Sequence, residues 1–379
     1  MFEGKKLICP VSNSKSFLKI FSIKNFPIYM GVVNKNFKSE FKELCFKINQ
    51  VSGSVQIHPK IPLKKLYFKP HGSGTIGKMW KNHHSSFFKF LSKDLKDQVV
   101  EIGGGHNSIS ETVNSIKSKK KFNLISFDPN GKKSKKRNQK TIKQFFSKKH
   151  ANKFKQKIDL IIHSHLFEHI YDPNKFLKNI FLSLKKNGVH TFSVPNLKFM
   201  IKNGYANAMN FEHPYFLEEE MVDYLLIKNG FKIIKKKKYY NHSIFYKTIK
   251  FGKFKSKNIK YKKFKTNKKL FQNFIRKIKL DVKKTNKLIK GLDEVYLFGA
   301  HIFSQMLIFN NLNLSPIKGI LDNDKKKINK YLYGTRLKVF SPKILNKMQK
   351  PIIILRAAQY NKEIKDYILK KINNKTKFI

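Results

Sequence analysis

The 379-residue chain reads as an α/β protein with a small module before its main sheet and a second, smaller α/β unit after it. Two observations predict this. From about residue 71 to 245, short apolar runs alternate with amphipathic stretches, the pattern of βαβ units. A second such alternation begins after residue 290, beyond a lysine-rich stretch with little period.

The elements follow in order. Residues 1–70 are expected to form a small unit of short strands closed by IPLKK (61–65). In the main unit, 71–246, strands are expected at QVVEIG (98–103), NLISFD (123–128), IDLIIHS (158–164), GVHTFSV (188–194) and FKIIKKKKYY (231–240). The segments between suit helices. FLKNIFLSL places apolar residues at 176, 177, 180, 181 and 184 on one face, and Asn187-Gly188 offers a stop. Residues 247–290 read as a basic linker and a helix, with Leu270, Phe271, Phe274, Ile275, Ile278, Val282 and Ile289 on one face. The last unit, 291–379, is expected to run EVYLFGA (294–300), a helix through about 311, IKGILD (317–322), PIIILRA (351–357) and a final helix.

Composition narrows the class. Net charge is +58, but only Arg137, Arg276, Arg336 and Arg356 are arginines, and the lysines are spread along the whole chain. Arginine is the residue suited to bidentate phosphate and base-edge contacts. A dedicated nucleic-acid role is therefore not expected, whereas anionic small substrates would be drawn in. No apolar run is long enough to span a bilayer. The start, MFEGKKLICP, lacks a secretory pattern. Cys9 and Cys45 cannot make a disulfide framework, so a reducing cytoplasm is expected.

VVEIGGGHNSIS (99–110) carries the main functional signal. A strand ending in Gly103, Gly104 and Gly105 lets backbone approach a ligand without a Cβ in the way, and a following helix would aim free N–H groups at the same place. The spacing is not the full dinucleotide pattern. NLISFDP then ends in Asp128, where a carboxylate can accept both hydroxyls of an adenosine ribose. The alternative is a turn cap ahead of Pro129. His163, His165, Glu168 and His169 can be read as a metal cluster, but a strand-to-helix break after Ser164 would split their directions. His83 and His84 are expected at the surface or in a cleft, without a metal partner. In NFEHPYF (210–216), Glu212 can orient His213 for proton transfer, or the pair can merely open a capped helix.

Four segments, EIGGGHNS, SFDP, HSHLFEHIYDP and LKKNGVHTFSVPN, together resemble the motifs of class I S-adenosylmethionine-dependent methyltransferases over about residues 98–196. The resemblance implies a Rossmann-like core and S-adenosyl-L-methionine as cofactor. It assigns cofactor contacts to Glu101, Gly103, Gly104, Gly105, Asn107, Asp128, His165 and Glu168.

The whole layout is similar to the nucleotide-sugar C-methyltransferase family, which carries an N-terminal zinc module and a C-terminal α/β domain. EHPYF, VYLFGAHIFSQMLIF (295–309), GILDND (319–324), GTRLKVFSP (334–342) and HGSGTIGKMWKNHHSSF (71–87) carry this likeness. It implies that a 4-keto sugar nucleotide is deprotonated beside its carbonyl and that the enolate carbon takes the methyl group. His213, Glu212, Tyr215 and His71 match its catalytic positions. O- or N-methylation of a glycan precursor would use the same core. An RNA methyltransferase would carry Asn-Pro-Pro-Tyr after the fourth strand, where HSHLFEH stands.

The chain departs from the family pattern in places. Asn210 and Phe211 replace a tyrosine and a histidine, and His71 stands for a tyrosine. The zinc module lacks its thiolates: Ser12 follows Cys9 where a second ligand is expected, and SGSVQ (52–56) looks like a ligand pair reduced to serines. No metal ligand is assigned, and the sequence sets no oligomeric state.

Overall fold

The computed structural model describes residues 7–68, 78–104, 122–131, 137–252 and 261–379. Three principal sheets follow one another along the chain. The first contains β1 (Phe17–Pro27), β3 (Phe41–Asn49) and β4 (Val55–His58), antiparallel in the order β1-β3-β4, while β2 (Val32–Val33) leaves it to pair elsewhere.

The main sheet holds β5 (Gln98–Ile102), β6 (Asn123–Phe127), β7 (Gln139–Ile142), β8 (Ile158–Ser164), β9 (Leu184–Pro195), β10 (Phe231–Tyr239) and β11 (Ser243–Lys250). Their order is β10-β11-β9-β8-β5-β6-β7, with β5 to β9 parallel and the β10–β11 hairpin antiparallel. This is the expected Rossmann-like core. Covered on both faces, the central strands are continuously apolar: Val99, Val100, Leu160, Ile161 and Ile162 are all buried. The strand order reverses between β5 and β8, and such a switch point opens a crevice at the carboxyl ends of the strands.

β11 corrects the sequence reading, which began a linker at residue 247. It is an interior strand, paired from Ser243↔Pro195 to Ile249↔Val189 on one side and with β10 on the other. Its lysines disguised it. Lys247 turns to Asp94, and Lys250 Nζ donates to the Leu184 carbonyl at 3.1 Å, so the stems lie along the sheet while the heads find oxygen. The expected linker also overlaps the start of the helix Phe264–Leu288, which buries Phe271, Phe274, Ile275, Ile278 and Val282 as its periodicity predicts. β10 is the sheet edge, and the run Lys235–Lys238 guards it against pairing with another chain.

The third sheet is all parallel: β12 (Val295–Phe298), β13 (Ile317–Leu321), β15 (Val339–Phe340), β16 (Ile352–Leu355) and β17 (Lys377–Phe378), in the order β15-β13-β12-β16-β17. Between β13 and β15, β14 (Tyr331–Leu332) pairs antiparallel with β2 of the N-terminal region. Gln305 Nε2 reinforces that clasp, donating to the carbonyls of Tyr29 (2.9 Å) and Tyr333 (3.0 Å). Among the described residues no helix is long and apolar enough to cross a membrane.

The N-terminal region brings Cys9, Ser12, Asn49 and Ser52 together. Ser12 Oγ donates to Asn49 Oδ1 at 3.0 Å, Ser52 Oγ lies 3.0 Å from the same oxygen, and Cys9 Sγ lies 3.2 Å from Ser52 Oγ. The spacing is that of a zinc knuckle, but one thiol, two hydroxyls and a carboxamide do not fit zinc. These side chains satisfy one another by hydrogen bonds instead. The second half of the knuckle is Asn49 and Ser52, so the SGSVQ stretch singled out by sequence supplies one of its two positions.

Candidate active site

A cleft of about 1330 Å³ opens at the switch point, with walls from all three regions of the chain. Gly103 and Gly104, where β5 ends, form its floor. Gly103 has φ +73°, and a Cβ there would lie 3.0 Å from Leu166 Cδ1. A Cβ on Gly104 would lie 2.8 Å from both Glu101 Oε2 and Ser126 Oγ. Glycine suits this turn: Gly103 has a positive φ, and a side chain at Gly104 would have to displace Glu101 and Ser126. Glu101 is buried beneath it. Asp128 lines the cleft at the end of β6, and its Oδ1 accepts the Asn130 N–H at 2.7 Å. The turn-cap reading and the ligand reading therefore coexist, because a carboxylate has lone pairs for both. Gly105, Asn107 and His71 lie outside the described residues.

The histidines after β8 go three ways, as the break at Ser164 predicts. His163 points into the sheet, its Nε2 2.9 Å from His190 Nε2 and its ring stacked on Phe192. His165 has φ +48°, a conformation that costs a non-glycine residue of order 1 kcal/mol and clusters at functional sites. Its Nδ1 lies 3.4 Å from Glu168 Oε1, its Nε2 lies 2.8 Å from Ser243 Oγ, and its ring meets Trp80, His83 and His242. His83 is fully buried, contrary to its expected place at the surface or in the cleft, while His84 lines the cleft. Burial pulls His165 and His242 down to about 3 and His84 to about 4, and pulls His83 lower still, so all four rings are neutral.

His169 takes the third direction, towards the Glu212–His213 pair. Asn210 builds that turn: its Oδ1 accepts the N–H of Glu212 (2.8 Å) and of His213 (3.2 Å). Asn210, a departure from the family pattern, is thus the turn-former, and Phe211 fills core against Phe26. His213 Nδ1 donates to the Ala208 carbonyl at 3.3 Å, which leaves Nε2 the basic nitrogen. The His213 and His169 rings meet edge to face with centroids 4.6 Å apart. His169 Nδ1 lies 2.9 Å from the Tyr67 hydroxyl and 3.9 Å from Glu212 Oε2. Burial pushes Glu168 up to about 7, with His213 nearby opposing the shift. Burial and the Glu212 carboxylate together hold the hydroxyls of Tyr29, Tyr67 and Tyr171 protonated well above their usual range.

Glu101, Gly103, Gly104, Asp128, His165, Glu168, Glu212 and His213 all line the one cleft. Tyr215 does not reach it. Its hydroxyl donates to the Tyr171 carbonyl at 2.9 Å and is bonded by Lys60 Nζ, so it braces the cleft wall from behind. Sequence reasoning singled out His169 beside Glu168 but not its meeting with Glu212 and His213, and it missed Tyr67 and Tyr29. The two tyrosines had no signal in the sequence.

The bare turn and Asp128 fit an adenosine-bearing cofactor: Gly103 and Gly104 would take its backbone-facing side and Asp128 its ribose. A family comparison agrees. Residues 80–236 match the family described as "Methyltransferase domain". No curated protein matches the chain. Among solved structures, the chain is similar to an S-adenosylmethionine-dependent methyltransferase from Clostridium acetobutylicum ATCC 824, at 14% identity over 45% of this chain and 92% of that one, with a TM-score of 0.34. It is also similar to the PH0226 protein from Pyrococcus horikoshii OT3, at 13% identity over 47% of this chain and 96% of that one, with a TM-score of 0.37. Residues 80–236 are a methyltransferase domain, and its cofactor is S-adenosylmethionine.

Proposed function

We propose that the acceptor is a sugar carried on a nucleotide, methylated at a carbon beside a 4-keto group. One observation carries this reading: a single cleft runs from Gly103, Gly104 and Asp128, past the Glu212–His213–His169 group, to Lys326, Lys327 and Lys330 of the C-terminal unit. At about 1330 Å³ it exceeds the roughly 300–1,000 Å³ of a site for one small molecule, so cofactor and a substrate of similar size fit together. The lysines suit the diphosphate of a sugar nucleotide. On this reading residues 1–70 and 291–379 are the walls that close the substrate side of the core, and the enzyme works in the cytoplasm.

The cofactor supplies an electrophilic methyl group. His213 Nε2 accepts the proton beside the substrate carbonyl, and the Ala208 carbonyl at Nδ1 stabilises the imidazolium that forms. Glu212 adds negative charge within the same pocket and His169 holds the ring edge-on. A tyrosine hydroxyl kept protonated, Tyr67 or Tyr29, donates to the developing enolate oxygen.

Incubation with isotopically labelled cofactor and a panel of 4-keto, hydroxy and amino nucleotide-sugars, read by mass spectrometry, tests this. Label on carbon of a 4-keto member is expected. Label confined to oxygen or nitrogen would replace carbon methylation, and label on RNA with none on sugars would remove the sugar reading.

A further inference from the structure

We infer that His83, His165 and His242 form a binding site for a divalent transition metal of zinc type on the cleft wall beside the glycine turn. Three distant elements supply the ligands: the helix Lys78–Leu91, the loop after β8, and the turn between β10 and β11. One nitrogen from each ring lies within 4.8 Å of the others. In a tetrahedral site with metal–nitrogen distances of 2.0–2.1 Å those nitrogens stand about 3.4 Å apart, so the rings close by on the order of 1 Å.

The independent observation is His83. It is fully buried, and neither Nδ1 nor Nε2 has a hydrogen-bond partner. A buried imidazole with nothing to bond to is unfavourable by about 1–3 kcal/mol, and a metal ion removes the deficit. The surroundings match a metal centre. Trp80 packs against all three rings, with centroids 5.3, 4.9 and 4.8 Å from His83, His165 and His242. Phe87, Tyr239 and Phe245 shield His83. The Ser243 hydroxyl bonds both His165 Nε2 and His242 Nδ1 and so fixes the two rings relative to each other, the task of an outer-shell residue.

Three uncharged nitrogen donors select a zinc-type ion over magnesium or calcium, which require oxygen. The fourth position faces the cleft, beside His84, and takes water or a substrate oxygen. The site stands whatever the acceptor proves to be.

The test is titration of chelator-treated full-length protein with Zn2+ alone by calorimetry and with Co2+ alone by visible absorption. One equivalent is expected, with the bands of four-coordinate cobalt and a raised melting temperature. His83→Ala and His242→Ala should each weaken binding roughly a hundredfold or more. His213→Ala should leave it unchanged, because His213 belongs to a second group, Glu168–His169–His213, also close enough to hold an ion. If His83→Ala does not fold, His242→Ala, in a turn, decides alone. No saturable binding, binding that survives His242→Ala, or loss confined to His213→Ala would overturn the assignment.

Discussion

Replacing Asp128 by alanine separates two jobs done by one carboxylate. Its Oδ1 accepts the Asn130 N–H at 2.7 Å and holds the turn after β6, and the residue lines the cleft. A ribose diol offers two hydroxyl donors, and hydrogen bonds to a charged acceptor are worth about 1.5–3 kcal/mol each. Losing both should weaken cofactor binding by about 3 kcal/mol, roughly a hundredfold in Kd. Asp128→Asn keeps an acceptor for Asn130 but turns the second oxygen into an NH2 donor and loses the charge, so a loss of roughly tenfold or more is expected. Calorimetry with S-adenosylmethionine and with its demethylated product reads both variants, and circular dichroism checks the fold. If Asp128→Ala binds within about threefold of wild type while folded, the ribose assignment is wrong.

Other consequences are as direct. His213→Ala should abolish turnover and leave cofactor affinity unchanged; normal turnover would place the base elsewhere. Gly53→Ala should destabilise the fold by about 3 kcal/mol or more, seen as a lowered melting temperature, because Gly53 has φ +80° and its Cβ would lie 2.2 Å from the Phe264 backbone nitrogen. Lys60 should give the protein a rising stability at alkaline pH. Burial lowers its ammonium from 10.5 to about 8, with Asp172 opposing. Below pH 8 the folded state carries that buried charge. Above it the unfolded chain holds a proton the folded chain has released, so stability rises by about 2 kcal/mol between pH 7 and 10. Chemical denaturation should show this rise in wild type and not in Lys60→Met; identical profiles would refute it.

β5, β6, β12 and β13 were legible because each is a short apolar run ended by glycine or aspartate, and Gly103, Asp128, Gly299 and Asp322 line the cleft; β7, equally parallel but reading QKTI, was not legible. β11 was not legible, since buried stems of Lys247 and Lys250 carry the same letters as a solvated linker. Glu212 and His213 stood out as a pair. Their partner Tyr67 did not, because that contact depends on how the N-terminal region docks on the core. The same holds for His83, whose ring nitrogens look ordinary until the packing seals them away from any acceptor. Asn49 gave no hint of its place in the old knuckle, because an asparagine between strands reads as a turn residue.

The β2–β14 clasp has a consequence for biosynthesis. Val32 and Val33 leave the ribosome nearly three hundred residues before Tyr331 and Leu332, which complete their ladder. During that interval the early strand edge and the aromatic surface at Tyr29 stay uncovered while the core folds behind them. A nascent chain that stops short of Tyr331 would carry a formed nucleotide crevice with no roof and a sticky front end.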